Sequence, residues 1–266
     1  MSIITTSLPS TIKTILFDID GTLVARGKAL PGAAEAVACA REQGLALRFL
    51  TNITSQVPHQ IAAGLQQQGL NIQGHEIQTA TTACVDYLRS RADSTCHLII
   101  PTSIRTLFDG VKLNDQKPDL VVIGDIGDQF NFRVLNQAFL MLRAGAELVV
   151  PQKGLFWFDV DGPKLDCGSF ILGLEAATGK EAIVTGKPSD LFFQQALTHL
   201  RCGADEALVI GDDMSTDIFG ANRIGATSLL VGTGKYLPGA ECMGDIRPDF
   251  FLQTLEHLPK LLKTIQ

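Results

Sequence analysis

Four short groups of residues in this 266-residue chain are the ones able to do chemistry. The first is Asp18-Ile19-Asp20-Gly21-Thr22, at the end of the apolar run Lys13–Ile19. Residues two apart on a strand point the same way, so the two carboxylates are expected to face one spot. The glycine behind them lets the chain turn sharply. Crowded acids repel unless a cation or a shared proton relieves them. Magnesium suits such a place, because it takes a few hard oxygen ligands and keeps several waters. In isolation a strand-end turn with solvated acids would read the same. An EF-hand is excluded, since its later ligands are missing and a strand precedes the motif.

Each of the other three groups is modest alone. Thr51-Asn52 follows the run Leu45–Thr51 and offers a hydroxyl and an amide to a phosphoryl oxygen, although Thr-Asn is also a common turn pair. Gly186-Lys187-Pro188-Ser189 brings one positive charge, or simply a solvated loop lysine, with Pro188 placed to start a helix. Gly211-Asp212-Asp213-Met214-Ser215-Thr216-Asp217 gathers acids again after the run Ala207–Ile210. Asp213 or Ser215 can there serve only to cap a helix. A later Gly232-Thr233-Gly234-Lys235 falls short of any phosphate-binding pattern and reads as a plain turn.

The elements that must hold these groups alternate. Strands are expected at Lys13–Ile19, Leu45–Thr51, Ala182–Thr185, Ala207–Ile210 and Thr227–Val231. Helices are expected at Pro31–Gln43, Pro58–Gln68, Pro188–Arg201 and Thr216–Ile224. Such alternation predicts a parallel sheet covered on both faces, with ligands at the carboxyl ends of its strands. The four groups fall at those ends. Between them lie further strand candidates, His97–Ile100, Asp119–Ile123 and Leu148–Val150, with helices at Asn131–Ala144 and Gly168–Thr178. This middle reads as a second small α/β unit.

Taken in order, Asp18, Asp20, Gly21, Thr22, Thr51, Asn52, Lys187, Pro188, Gly211, Asp212 and Asp217 resemble the signature of the haloacid dehalogenase (HAD) superfamily of phosphohydrolases. The gaps select a subclass. Nine residues between Gly21 and Pro31 leave no room for a cap domain, whereas 134 lie between Asn52 and Lys187. That placement resembles the C2-type cap of the NagD-like subfamily. Phe132–Phe139, Leu174–Gly179 and Gly211–Ile218 look most like two of its branches, the haloacid dehalogenase-like hydrolase domain-containing proteins and the phospholysine phosphohistidine inorganic pyrophosphate phosphatases. One departure is Ile53, where many NagD-like proteins carry a second Asn, so a side-chain substrate contact at that position is in doubt.

The resemblance implies a Rossmann-like, doubly wound core of residues 1–77 and 183–266 with an inserted cap of residues 78–182. It implies Asp18 as nucleophile and Asp20 as general acid and base. Thr51, Asn52 and Lys187 would hold the phosphate. Mg2+ would be bound by Asp18, the Asp20 carbonyl and Asp212, with Asp217 and Asp213 behind them. A cap of this kind closes over the site and chooses the leaving group. Its candidate substrate-facing loop is Pro151–Cys167, with Lys153, Phe156, Trp157, Lys164 and Asp166, two of its three aromatics Phe156, Trp157 and Phe158 being expected in the cap core. The stripe Phe132, Leu135, Phe139 and Leu142 is expected in that core rather than on a dimer face, though NagD-like proteins are often homodimers. A phosphotransferase or phosphomutase on the same scaffold, and a non-catalytic phosphate-binding module, stay open as alternatives.

Bulk properties agree with a small-molecule enzyme. The chain is 45% hydrophobic and 19% charged, as in soluble globular proteins. A net charge of -6 gives no electrostatic reason to bind nucleic acid. The six cysteines form no C-x-x-C pair and the five histidines no zinc spacing, which suits a reducing, cytoplasmic setting. Neither a signal peptide nor a membrane-spanning run is expected.

Overall fold

The computed structural model describes residues 7–159, 162–242 and 245–265. They form two compact units. One holds the described residues up to Thr51, Pro58–Gln78 and those from Lys187 onward; the other holds Asn52–Val57 and Thr79–Gly186.

The first unit is built on a six-stranded sheet. Its spatial order is Phe250–Leu252, Thr227–Val231, Ala207–Gly211, Thr14–Asp18, Ala46–Thr51 and Ile77–Thr79. Thr14–Asp18 runs parallel to both of its neighbours, and Thr227–Val231 runs parallel to both of its own. Thr14–Asp18 and Ala207–Gly211 are buried along their whole length, as strands covered on both faces must be. The chain leaves Thr14–Asp18 to one side, then returns to its other side at Ala207–Gly211. The order therefore reverses beside Asp18, the kind of point where α/β sheets bind ligands. Register does the rest. Phe17 pairs with Ile210 and Asp18 with Leu50, so Asp18, Thr51 and Gly211 emerge at one level. Stacking of Phe17 on Phe49, ring centroids 5.8 Å apart, fills the space beneath them.

Two helices differ from expectation. The one assigned to Pro188 begins at Asp190 with Ser189 as its N-cap, so Pro188 lies in the connection and not in the first turn. The Thr216–Ile224 helix opens as a π-helical stretch, Met214–Ile218, and becomes α-helical at Phe219–Ile224. Such widened turns often mark functional sites, and this one buries Asp217 beside Ile218.

The second unit holds a four-stranded parallel sheet ordered Ile183–Val184, Glu147–Val150, Leu120–Ile123 and Cys96–Ile99. Side chains alternate between its faces. Val121, Ile123, Leu148 and Val150 join one core with residues of the helices Phe132–Arg143 and Cys167–Thr178. Leu120, Val122 and Val149 join the other, with the helix Ala80–Ser90. Of the apolar stripe, Leu142 is buried and Leu135 and Phe139 pack against the first core. Phe132 is 82% exposed and corrects that part of the expectation. It sits in the first turn, beyond the sheet that covers the rest.

The Pro151–Cys167 segment contains an antiparallel hairpin, Phe156–Asp159 with Gly162–Leu165. Two of its expected substrate contacts are occupied structurally. Lys153 pairs with Glu175 at 2.7 Å, and Asp166 caps the Cys167–Thr178 helix. Phe156 is exposed and not in the core; the side chains of Trp157 and Phe158 lie outside those described. Among the described residues no helix is long and apolar enough to cross a membrane. Cys39, Cys84, Cys96, Cys167 and Cys202 are free thiols.

Candidate active site

Asp18, Lys187, Asp212 and Asp217 come from three separate parts of the chain, and all four are buried. Lys187 Nζ donates to Asp18 Oδ1 at 2.5 Å and to Asp217 Oδ1 at 2.7 Å. Carboxylate oxygens of Asp18, Asp212 and Asp217 all lie within 4.8 Å of one another. Two of the three acids therefore share one lysine, and the third lies beside them. Burial pushes the Asp18 and Asp217 carboxyls up to about 7, with Lys187 opposing and a neighbouring aspartate adding to the rise in each case. Burial also raises Asp212. Burial alone would lower the Lys187 ammonium, but Asp18 and Asp217 hold it well above the usual lysine range.

Such a cluster fits a divalent cation. The donors are all hard carboxylate oxygens, the kind magnesium, calcium and manganese take. Asp18 Oδ2 is buried and has no hydrogen-bond partner, so an acceptor there stands unused by the protein. An unpaired buried carboxylate oxygen is costly, and a cation would relieve both it and the repulsion between the acids.

Asp20 stands apart from this group. The strand ends at Asp18, and Asp20 is exposed where Asp18 is buried. The i, i+2 rule holds only as far as the strand, which ends at Asp18, so it does not by itself set the direction of Asp20. Asp20 Oδ2 instead accepts a hydrogen bond from Thr51 Oγ1 at 3.1 Å. The two signature groups are thus tied side chain to side chain. Asn52 begins the second unit, one residue after Thr51.

Asp213 faces other partners. Its carboxylate caps Ser215 and accepts from Lys235 Nζ at 2.8 Å. Burial works against its charge, but Lys235 and Ser215 prevail and hold the carboxyl down at about 2.

Sequence reasoning named Thr22 without giving it a partner and missed Thr233 and Lys235. Thr22 Oγ1 donates to Asp212 Oδ1 at 3.2 Å. The backbone N–H of Lys235 donates to Asp212 Oδ2 at 2.5 Å, and Thr233 Oγ1 donates to the Gly21 carbonyl at 2.6 Å. The Gly232–Lys235 turn is therefore part of the site and not a plain connection. Its one advance signal was position, since it follows the strand Thr227–Val231 at the carboxyl end. Glycine is needed at two places here. Gly21, at φ 94°, and Gly234, at φ 55°, both adopt left-handed backbone, and a Cβ on either would overlap the Asp212 carboxylate.

Comparison with known proteins agrees with this arrangement. Residues 15–114 match the family described as haloacid dehalogenase-like hydrolase, and residues 184–258 match a second described as HAD-hydrolase-like. The haloacid dehalogenase-like hydrolase domain-containing protein 2 of Rattus norvegicus is 36% identical over 93% of each chain. The phospholysine phosphohistidine inorganic pyrophosphate phosphatase of the same species is 34% identical over 95% of each. Among solved structures, NagD of E. coli K-12 superposes with a TM-score of 0.84 at 25% identity, covering 92% of this chain and 97% of that one. A 4-nitrophenylphosphatase from Thermotoga maritima reaches 0.87 at 24% identity, covering 97% and 98%. With two family matches over residues 15–114 and 184–258, relatives along nearly its whole length and a NagD-like fold, the chain belongs to the haloacid dehalogenase-like hydrolases.

Proposed function

We propose that this protein is a magnesium-dependent phosphatase that hydrolyses a small phosphorylated metabolite through an aspartyl-phosphate on Asp18. The observation that carries this reading is the buried cluster of Asp18, Asp212 and Asp217, with Lys187 bonded to the first and the last of them. Relatives named as phosphatases support the reaction class.

Asp18 is the nucleophile in this reading. Its carboxylate oxygen forms the bond to phosphorus as the bond to the leaving oxygen breaks. Lys187 keeps Asp18 ionised and oriented, since its ammonium holds the other oxygen of that carboxylate. Asp20 gives its proton to the departing alkoxide and then takes one from the water that attacks the acyl phosphate. Its exposure and its bond to Thr51 suit a group that must meet both substrate and solvent. Thr51, Asn52 and Lys187 hold the phosphoryl oxygens, because phosphoryl transfer depends chiefly on positioning and charge neutralisation. Asp18, Asp212 and the Asp20 carbonyl would hold Mg2+, with Asp217 orienting Lys187 and Asp213 supporting the loop. Bound there, the cation supplies positive charge against the phosphoryl oxygens. Residues 78–182 form the C2-type cap in this reading. The free thiols are in keeping with a cytoplasmic setting.

The test is phosphate release from a panel of phosphorylated metabolites, pyrophosphate and 4-nitrophenyl phosphate, each with MgCl2 and with EDTA. Magnesium-dependent release of phosphate is expected from at least one. Phosphoryl transfer to a second substrate without free phosphate would replace hydrolysis by a transferase. Equal rates in EDTA would remove the metal from the account.

A further inference from the structure

We infer that the Thr233–Lys235 turn is a positioning device that presets Asp212 for the metal before any metal arrives. The inference deepens the phosphatase reading and rests on it.

Asp212 is the residue on which the turn acts. It follows the strand Ala207–Gly211 and is 2% exposed. A buried carboxylate beside two other acids is pushed away from both, and the hydrogen bonds described to its oxygens come from other segments. The restraint comes from outside the segment, on both of its oxygens. Thr22 Oγ1 holds Oδ1, and the Lys235 N–H holds Oδ2. Thr22 is itself placed by the loop after Asp18, and Thr233 fastens that loop through the Gly21 carbonyl. One turn thus holds Oδ2 directly and Oδ1 through the neighbouring loop. Gly21 and Gly234 approach the carboxylate so closely that neither tolerates a Cβ, which leaves it no alternative position on those sides.

The turn is anchored well enough to do this. The Gly232 N–H donates to the Leu252 carbonyl at 2.8 Å, tying the turn to the edge strand Phe250–Leu252. Lys235 Nζ pairs with Asp213, which fixes the residue after Asp212 as well. Residues that hydrogen-bond a metal ligand rather than the metal typically set affinity by about 10-fold to 100-fold. The Thr233 hydroxyl is the most separable member. It touches neither the acids nor Lys187 in the bonds described, and its loss changes the preset without changing a ligand.

The experiment compares full-length wild type, Thr233→Val and Thr233→Ser. Thermal unfolding is followed in EDTA and along a MgCl2 titration, with calorimetric titration of MgCl2 into each protein. Thr233→Val is expected to need about tenfold more magnesium than wild type. Thr233→Ser should restore the wild-type midpoint. A merely structural threonine would lower the melting temperature in EDTA and leave the magnesium midpoint unmoved; that result overturns the inference, as does a serine variant no better than valine. If Thr233→Val does not fold, Thr233→Ala removes the same donor with less disturbance and is read in the same way. Failure of wild type to bind magnesium is a separate result, and it overturns the metal reading itself.

Discussion

Asp217 Oδ1 accepts a hydrogen bond from Lys187 Nζ at 2.7 Å, and both side chains are buried. Lys187 makes its other bond to Asp18, so one ammonium links the strand Thr14–Asp18 to the π-helical stretch Met214–Ile218. Removing it leaves buried acids facing one another without a counter-charge. Breaking a buried ion pair from one side typically costs about 3–5 kcal/mol. Lys187→Met is therefore expected to lose that much stability in EDTA, measured by urea unfolding, and to recover part of it in MgCl2. A variant as stable as wild type in EDTA would mean that the lysine does not hold this cluster together.

The two aspartates of the first motif are predicted to fail differently. Asp18→Asn has no carboxylate to attack phosphorus and should release no phosphate above background. Asp20→Asn keeps the nucleophile and loses proton transfer, worth about 10²–10⁴ in rate. Both are read as steady-state phosphate release at saturating magnesium. Because Asp20 is exposed and bonded to Thr51 while Asp18 is buried on Lys187, the two substitutions should also differ in stability. Only Asp18→Asn should shift the melting temperature in EDTA appreciably. Retained turnover in Asp18→Asn would end the covalent mechanism.

The site was legible in the sequence to the extent that its parts are local. Each acid or lysine group stands beside a strand or helix boundary that apolar runs, prolines and glycines mark. What was illegible depends on partners far away along the chain. Gly-Thr-Gly-Lys is a turn by composition, and only the fold brings it against Asp212, more than twenty residues earlier. The helix Ala80–Ser90 gave no signal either. Its first half, Ala-Thr-Thr-Ala-Cys-Val, has weak helix formers, and burial of Ala83, Cys84, Val85 and Leu88 decides the matter. Asp20 lies two residues past the end of the strand Thr14–Asp18, where strand alternation no longer sets a side chain's direction.

Glu175 should make the second unit acid-sensitive. Its carboxylate accepts from Lys153 Nζ at 2.8 Å and from the Ala182 N–H at 2.7 Å. Burial pushes this carboxyl up, but those two donors outweigh it and hold it below the usual glutamate range. A folded-state pKa below the unfolded one contributes stability above the unfolded value and loses it as pH falls through the folded value. Glu175→Gln should therefore be less stable than wild type at pH 7, by about 1 kcal/mol for a partly exposed pair. The gap should close as pH falls through the folded-state value of Glu175, below which wild type is protonated too. An undiminished gap at low pH would show that the charge is not what matters.

Thiol reactivity offers a separate readout of the second unit. Cys84, Cys96 and Cys167 all belong to it and are all buried. Burial pushes Cys84 up to about 12 and Cys96 to about 11, and raises Cys167 as well. Cys39 and Cys202 belong to the first unit and are partly exposed. The thiolate is the reactive form, and an ordinary cysteine near pKa 8.5 is roughly a quarter thiolate at pH 8. A thiol near 11 is only about 0.1% thiolate at pH 8, a few hundredfold below that ordinary cysteine, and burial blocks the reagent besides. Iodoacetamide at pH 8 is therefore expected to spare Cys84, Cys96 and Cys167 in the native protein and to reach the partly exposed Cys39 and Cys202, with peptide mass spectrometry assigning each site. Raising urea in steps should expose Cys84, Cys96 and Cys167 together, because two of them line one core with the Ala80–Ser90 helix and the third opens the helix that covers the opposite face. Were Cys167 to react well before Cys84 and Cys96, the two faces of that sheet would be opening independently, and the unit would not unfold as one cooperative body.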